Sequence, residues 1–271
     1  MAGRPAASAS TTAPAGDANA QVSGAAQASG EEKVSGEAKV RGVRLRPRDA
    51  ATLVLVDRSA GEPRVLMGRR HATQVFLPNK FVFPGGRVDR GDRTMTSVDE
   101  LPDDVVRLLL ADMKGIASPA RARALALAAV RETFEEAGLI IGCPTADVPP
   151  ATTRGSRHAS WQRFRQAGYA PSLSHLGLLA RAITPPSRPR RYDTRFFLAE
   201  ASAICADVRH ADDELSELGW FTLTEMRALD LPNITRAIVE DLAVRLARPE
   251  VRLPVPYYSF RNGSFQRDLI E

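Results

Sequence analysis

Within eight residues, Arg131-Glu132-Thr133-Phe134-Glu135-Glu136-Ala137-Gly138 carries three carboxylates and one guanidinium. On a helix turning about 100° per residue, the three glutamates fall inside an arc about 100° wide, away from a stripe formed by Leu127, Val130, Phe134 and Ala137. A solvated acidic face accounts for that much. Two local rules are nevertheless broken: Glu132 and Glu136 are a like-charge i,i+4 pair, and all three acids crowd the partly negative C-terminal end of the helix. Each violation costs a few tenths to about 1 kcal/mol. A divalent cation would offset this, because Mg2+ and Mn2+ prefer oxygen ligands and bridge substrate phosphates. Arg131, four residues before Glu135, can orient the acids and partly neutralise them.

The elements that must hold this cluster are legible on either side. A helix is expected from Pro119 to Ala137, with Gly138 as its stop. Residues 51 to 56 and 64 to 70 read as a hairpin around Gly61-Glu62-Pro63, and Phe81-Val82-Phe83 as a short strand running into Pro84-Gly85-Gly86. Thr96 to Gly115 shows helical spacing at Val105, Leu108, Leu109 and Met113. Further on, 160 to 166 reads as a short helix, 178 to 183, 192 to 198 and 218 to 223 as strands, and 233 to 247 as the last long helix. Residues 252 to 271, with an Asn262-Gly263 turn, suggest a terminal hairpin or a packed tail. Strands and helices in this irregular order imply an α+β fold, a mixed sheet with helices on its faces.

The 271 residues, 44% hydrophobic and 25% charged, suffice for one sizeable core. Residues 1 to 42, poor in bulky side chains, are expected to be a disordered tail, leaving 43 to 271 as a single domain. The net charge of +5 comes without a dense basic face, which suits an anionic small molecule better than nucleic acid. Lys33, Lys39, Lys80 and Lys114 are the only lysines among 37 basic residues, a bias that hints at a GC-rich bacterial source. Cys143 and Cys205 lack the spacing of a disulfide framework or zinc site. No signal peptide or long apolar stretch is evident, so a cytoplasmic protein without membrane association is expected. His71, His158, His175 and His210 share no ligand spacing and receive no role.

Taken together, Gly85-Gly86, Asp92 and Arg131-Glu132-x-x-Glu135-Glu136-x-Gly138-Leu139 resemble the box of the Nudix hydrolases. Five residues separate Gly86 from Asp92, as in that family, although an aspartate stands where glutamate is usual. The next spacer is 38 residues, 93 to 130, where the family's pattern has seven, and Thr133 replaces an aliphatic residue. The resemblance implies an α/β/α sandwich carrying a helical insertion at about 93 to 123. It further implies Mg2+ or Mn2+ held by Glu132, Glu135, Glu136 and the Gly86 carbonyl, and hydrolysis of a diphosphate by metal-activated water. Glu132, Glu135 and Arg131 would be the catalytic set. Asp92 is a less secure member, its side chain being shorter. The base would be a box glutamate or a downstream acid, with Glu214 and Glu217 in the right region, although each taken alone reads slightly better as part of a solvated acidic turn.

A similarly placed insert occurs in the branch that includes the peroxisomal coenzyme A diphosphatases. That branch also has a stretch similar to Thr184-Pro185-Pro186 and Arg191-Tyr192-Asp193-Thr194-x-Phe196-Phe197. Coenzyme A or an acyl-CoA is therefore the expected substrate, with ADP-ribose or NADH as the rival and a non-catalytic nucleotide-sensing domain as the alternative class. Isomerase chemistry on an isoprenyl diphosphate finds no setting around either cysteine. Arg188, Arg190, Arg191 and Arg195 could grip a substrate phosphate or form a basic exposed loop. The insert is expected to cover the substrate mouth, and a homodimer is a further expectation.

Overall fold

The structure, a computed structural model, describes residues 45–74, 77–147, 156–208 and 215–271. The expected disordered tail lies outside these residues, as does Glu214. Chain order begins with β1 (Arg48–Asp57), β2 (Arg64–Arg70), β3 (Phe81–Val82) and β4 (Gly85–Arg87), followed by α1 (Asp103–Leu110) and α2 (Pro119–Ala137). Next come β5 (Leu139–Pro144), α3 (Ala159–Gln166), β6 (Tyr169–Pro171), β7 (Gly177–Ile183), β8 (Tyr192–Glu200) and β9 (Ile204–Asp207). The chain closes with β10 (Leu215–Thr222), α4 (Leu223–Ala228), α5 (Asn233–Leu246) and the hairpin β11 (Val255–Arg261) and β12 (Ser264–Ile270).

Among the described residues nine strands form one mixed sheet, ordered β10-β2-β1-β8-β7-β11-β12, with β3 added to β2 and β4 to β1. β1 runs parallel to β8 and β7 parallel to β11; the other neighbours are antiparallel. Strands β6, β5 and β9 form a smaller sheet. Two apolar cores cover the two faces of the large sheet. One gathers Leu53 and Leu55 with Leu109, Leu127, Phe134 and Phe164, and the other Val54 and Val56 with Met226, Ile238 and Leu242. The alternation along β1 thus feeds both layers, producing the expected α+β sandwich.

Helix α2 is bounded where its sequence says. The Ser118 hydroxyl accepts from the Arg121 amide, Pro119 occupies the first turn, and Gly138 closes the helix at φ 71° with its N–H on the Phe134 carbonyl. Its surroundings are less simple than an amphipathic stripe predicts, because residues 124 to 134 are all buried. Alanines at 124, 126, 128 and 129 let neighbours approach on several sides. Thr133, fully buried, satisfies its hydroxyl by donating to the Ala129 carbonyl at 2.8 Å, which explains how a polar residue occupies an aliphatic position.

The insert departs from expectation twice. Its helix covers only Asp103–Leu110, since Pro102 precedes it and Asp112 at φ 59° cannot continue it. It is also part of the core rather than a cover, with Met95, Leu101, Val105, Leu109 and Met113 buried. Arg123 ties it to α2, donating to the Met95 carbonyl at 2.6 Å and the Ser97 hydroxyl at 2.7 Å. Thirteen residues of helix, roughly 20 Å, separate that tie from Glu136.

Candidate active site

The two glycines of β4 lie against α2. Gly85 and Gly86 pair with Thr52 and Ala51 of β1, and the Gly85 N–H donates to Oε2 of Glu136 at 2.8 Å. A Cβ on Gly85 would fall 2.6 Å from the Ala51 carbonyl oxygen, and one on Gly86 would fall 2.5 Å from Oε1 of Glu132. At Gly85 a side chain would strike the β1 backbone, and at Gly86 it would have to push the Glu132 carboxylate aside, so the backbone itself forms the wall facing the carboxylates.

Arg131 is the hub of the cluster. It is 3% exposed, and its Nη1 lies 2.9 Å from Oε1 of Glu132 and 3.0 Å from both oxygens of Glu135. Its Nη2 donates to the Arg87 carbonyl at 2.9 Å. On the opposite side, Nε and Nη2 grip Asp92 at 2.8 and 3.1 Å. Asp92, fully buried, also accepts from the Trp161 indole N–H at 2.9 Å and the Asp89 amide at 2.7 Å. Four donors therefore occupy Asp92, and its role in this geometry is to anchor Arg131.

One guanidinium thus faces three carboxylates directly, with Glu136 alongside. Burial pushes the Glu132 carboxyl up to about 7; Arg131 pulls against this, while the charges of Glu135 and Asp92 add to it. Burial alone would lower Arg131, yet the hydrogen bond to Asp92 and the charges of Glu132, Asp92 and Glu135 hold it well above the usual range. Among the described residues no three His, Cys, Asp or Glu groups converge at coordination spacing. Glu132 and Glu135 lean on Arg131, and Glu136 rests on Gly85. The donor set still fits a divalent cation: hard oxygen atoms, negative charge exceeding its compensation, and a glycine backbone against which the Glu132 carboxylate lies.

The four arginines expected to bind phosphate do not form one site. Arg188 and Arg190 are exposed in the turn before β8. Arg191 donates to the Thr184 carbonyl at 3.1 Å and the Leu45 carbonyl at 2.7 Å. Arg195 is 1% exposed, with Nη1 at 2.9 Å from Asp193 and 3.6 Å from Asp49. Asp193 in turn grips Arg181 through two 2.8 Å bonds, and Asp49 grips Arg121 at 2.6 and 2.7 Å. An arginine at 195 reads the same in sequence whether it meets substrate or a buried aspartate. Glu217 is exposed on β10 at φ 49° and accepts from Arg69 at 2.8 Å.

Sequence reasoning missed the residues that α3 contributes. Trp161 reaches Asp92, and Nδ1 of His158, the residue capping α3, lies 4.0 Å from Oε1 of Glu135. No local periodicity signals either, because their partners are 69 and 23 positions away in the chain.

Residues 47–229 match the family model for the NUDT19 Nudix domain. The chain is 30% identical over 182 residues to the Caenorhabditis elegans protein named putative nudix hydrolase 7, a match covering 64% of this chain and 50% of that protein. It therefore spans about half the length of this curated relative. A solved NUDIX hydrolase from Alicyclobacillus acidocaldarius superposes with a TM-score of 0.52 at 27% identity, covering 73% of this chain and 91% of the other.

Proposed function

Because the chain belongs to the Nudix hydrolase family, we propose that it cleaves a diphosphate bond in a nucleoside diphosphate derivative, with coenzyme A or an acyl-CoA as substrate. The observation that carries the chemistry is the cluster of Glu132, Glu135 and Glu136 around Arg131, facing Gly85 and Gly86. Members of this family use divalent metal ions. In this reading Glu132, Glu135 and Glu136, with the Gly86 backbone, hold Mg2+ or Mn2+. Such an ion supplies a water of lowered pKa and neutralises charge on the phosphates. Arg131 keeps Glu132 and Glu135 in register, and Asp92 keeps Arg131 in place. The general base in this reading is a box glutamate or a downstream acid such as Glu217, which lies exposed on β10 beside Arg69.

Support for the substrate lies in the insert, which the family match spans, and in the stretch from Thr184 to Phe197. Part of that stretch serves the fold through Asp193 and Arg195, leaving Arg188 and Arg190 as the exposed cations able to meet a phosphate. The test is to incubate purified protein with Mg2+ or Mn2+ and coenzyme A, acetyl-CoA, ADP-ribose and NADH, identifying products by mass spectrometry. Formation of 3′,5′-ADP and 4′-phosphopantetheine, or its acyl form, is expected. Cleavage of ADP-ribose or NADH alone would replace the substrate and keep the chemistry. No cleavage of any of them would favour a nucleotide-sensing domain.

A further inference from the structure

Helix α3 lies outside the box, yet it is bonded into the box's deepest layer. Its Trp161 is fully buried, and the indole N–H points at Oδ1 of Asp92, the atom that also receives Nε of Arg131. The second oxygen of Asp92 is fixed by the Asp89 amide and by Nη2 of Arg131. A continuous series of hydrogen bonds and one ion pair, each 2.8 to 3.1 Å, therefore runs from Trp161 through Asp92 and Arg131 to Glu132 and Glu135. Packing holds the start of this series: the Trp161 and Phe164 rings meet edge to face at 5.4 Å, and Phe164 meets Phe134 of α2 at 5.2 Å.

Asp92 is short for its place. A glutamate could follow the guanidinium through an extra rotatable bond, whereas an aspartate must be aimed by its backbone and its remaining donors. The 3-10 turn Gly91–Arg93 supplies the backbone, and Trp161 supplies the one side-chain donor to Asp92 besides Arg131 among the described residues. We propose that Trp161 is a positioning residue for the carboxylate centre, acting through Asp92 and Arg131 on the spacing of Glu132 and Glu135. The segment carrying α3 is on this view a working part of the site. The inference rests on the reading of the cluster as a divalent-metal centre.

The test measures Mn2+ affinity by calorimetry in the full chain, with metal-dependent turnover as a second readout. Trp161→Phe is expected to weaken Mn2+ binding several-fold, less than the roughly 10-fold lost with a direct partner of a metal ligand because Asp92 and Arg131 intervene, and to lower kcat with little change in KM. Phe164→Leu serves as control; it loosens the same packing while keeping the Trp161 N–H, and should lower Tm and weaken Mn2+ binding clearly less than Trp161→Phe does. Should Trp161→Phe fail to fold, benzothienylalanine incorporated in a Trp220→Phe background removes the N–H and keeps the ring volume, Trp161 and Trp220 being the two tryptophans. Unchanged Mn2+ affinity on loss of the N–H, or equal weakening by Phe164→Leu, would overturn the proposal while leaving the metal-centre reading intact. Absence of Mn2+ binding by the unaltered protein would overturn both.

Discussion

Gly86 of β4 and Glu132 of α2 approach so closely that a methyl group on the glycine would lie 2.5 Å from the carboxylate oxygen. Gly86→Ala therefore has to displace the end of the Glu132 side chain, which is softer than the backbone around it. The expected outcome is a fall in kcat/KM of about 10-fold or more, in line with losses from misplaced reacting groups, with a native circular dichroism spectrum. An active Gly86→Ala enzyme would contradict the close approach.

Arg131 is the one cation that pairs with all three of Asp92, Glu132 and Glu135 among the described residues. Arg131→Ala should leave buried acids uncompensated and destabilise the fold by about 3–5 kcal/mol, read from urea denaturation midpoints. Glu136→Gln behaves differently. Its amide oxygen can still accept from the Gly85 N–H, so Tm should shift by only a few degrees while metal-dependent turnover falls roughly 100-fold.

Helix α2 shows how much was legible in the chain itself. Ser118, Pro119 and Gly138 mark its ends because caps act within a few residues. Its burial on several sides was not legible, since an alanine-rich face looks neutral until β4 and α3 are packed on it. Strand β4 escaped for the same reason: Gly85 and Gly86 carry no strand preference, and their pairing is dictated by Ala51 and Thr52. The box acids were identified from local spacing, whereas the partners of Arg195 and Asp92 depend on side chains brought in by distant strands and α3. Helix α4 was missed although its capping box, Thr222 with Glu225, stands in the sequence.

Asp99 supplies a stability term with a defined pH window. Burial alone would raise its pKa, but hydrogen bonds from Ser172, Leu173 and Ser174 outweigh this and hold it below the usual carboxylate value. A carboxyl lowered on folding stabilises the native state above its unfolded pKa, about 3.9, and loses that contribution as pH falls through the lower folded value. Asp99→Asn should therefore reduce Tm at pH 7, with the deficit against the unaltered protein shrinking as pH falls below about 4. A deficit independent of pH would show that Asp99 contributes shape rather than charge.

The central claim is that the acids around Arg131 form a divalent-metal centre for diphosphate hydrolysis. Its most direct test is to follow coenzyme A cleavage while titrating Mn2+ into chelator-treated protein, in parallel for the unaltered chain and Glu136→Gln. Turnover that rises with Mn2+ to saturation in the former and stays near background in the latter is the predicted result. Cleavage that ignores both the metal and the substitution would contradict it.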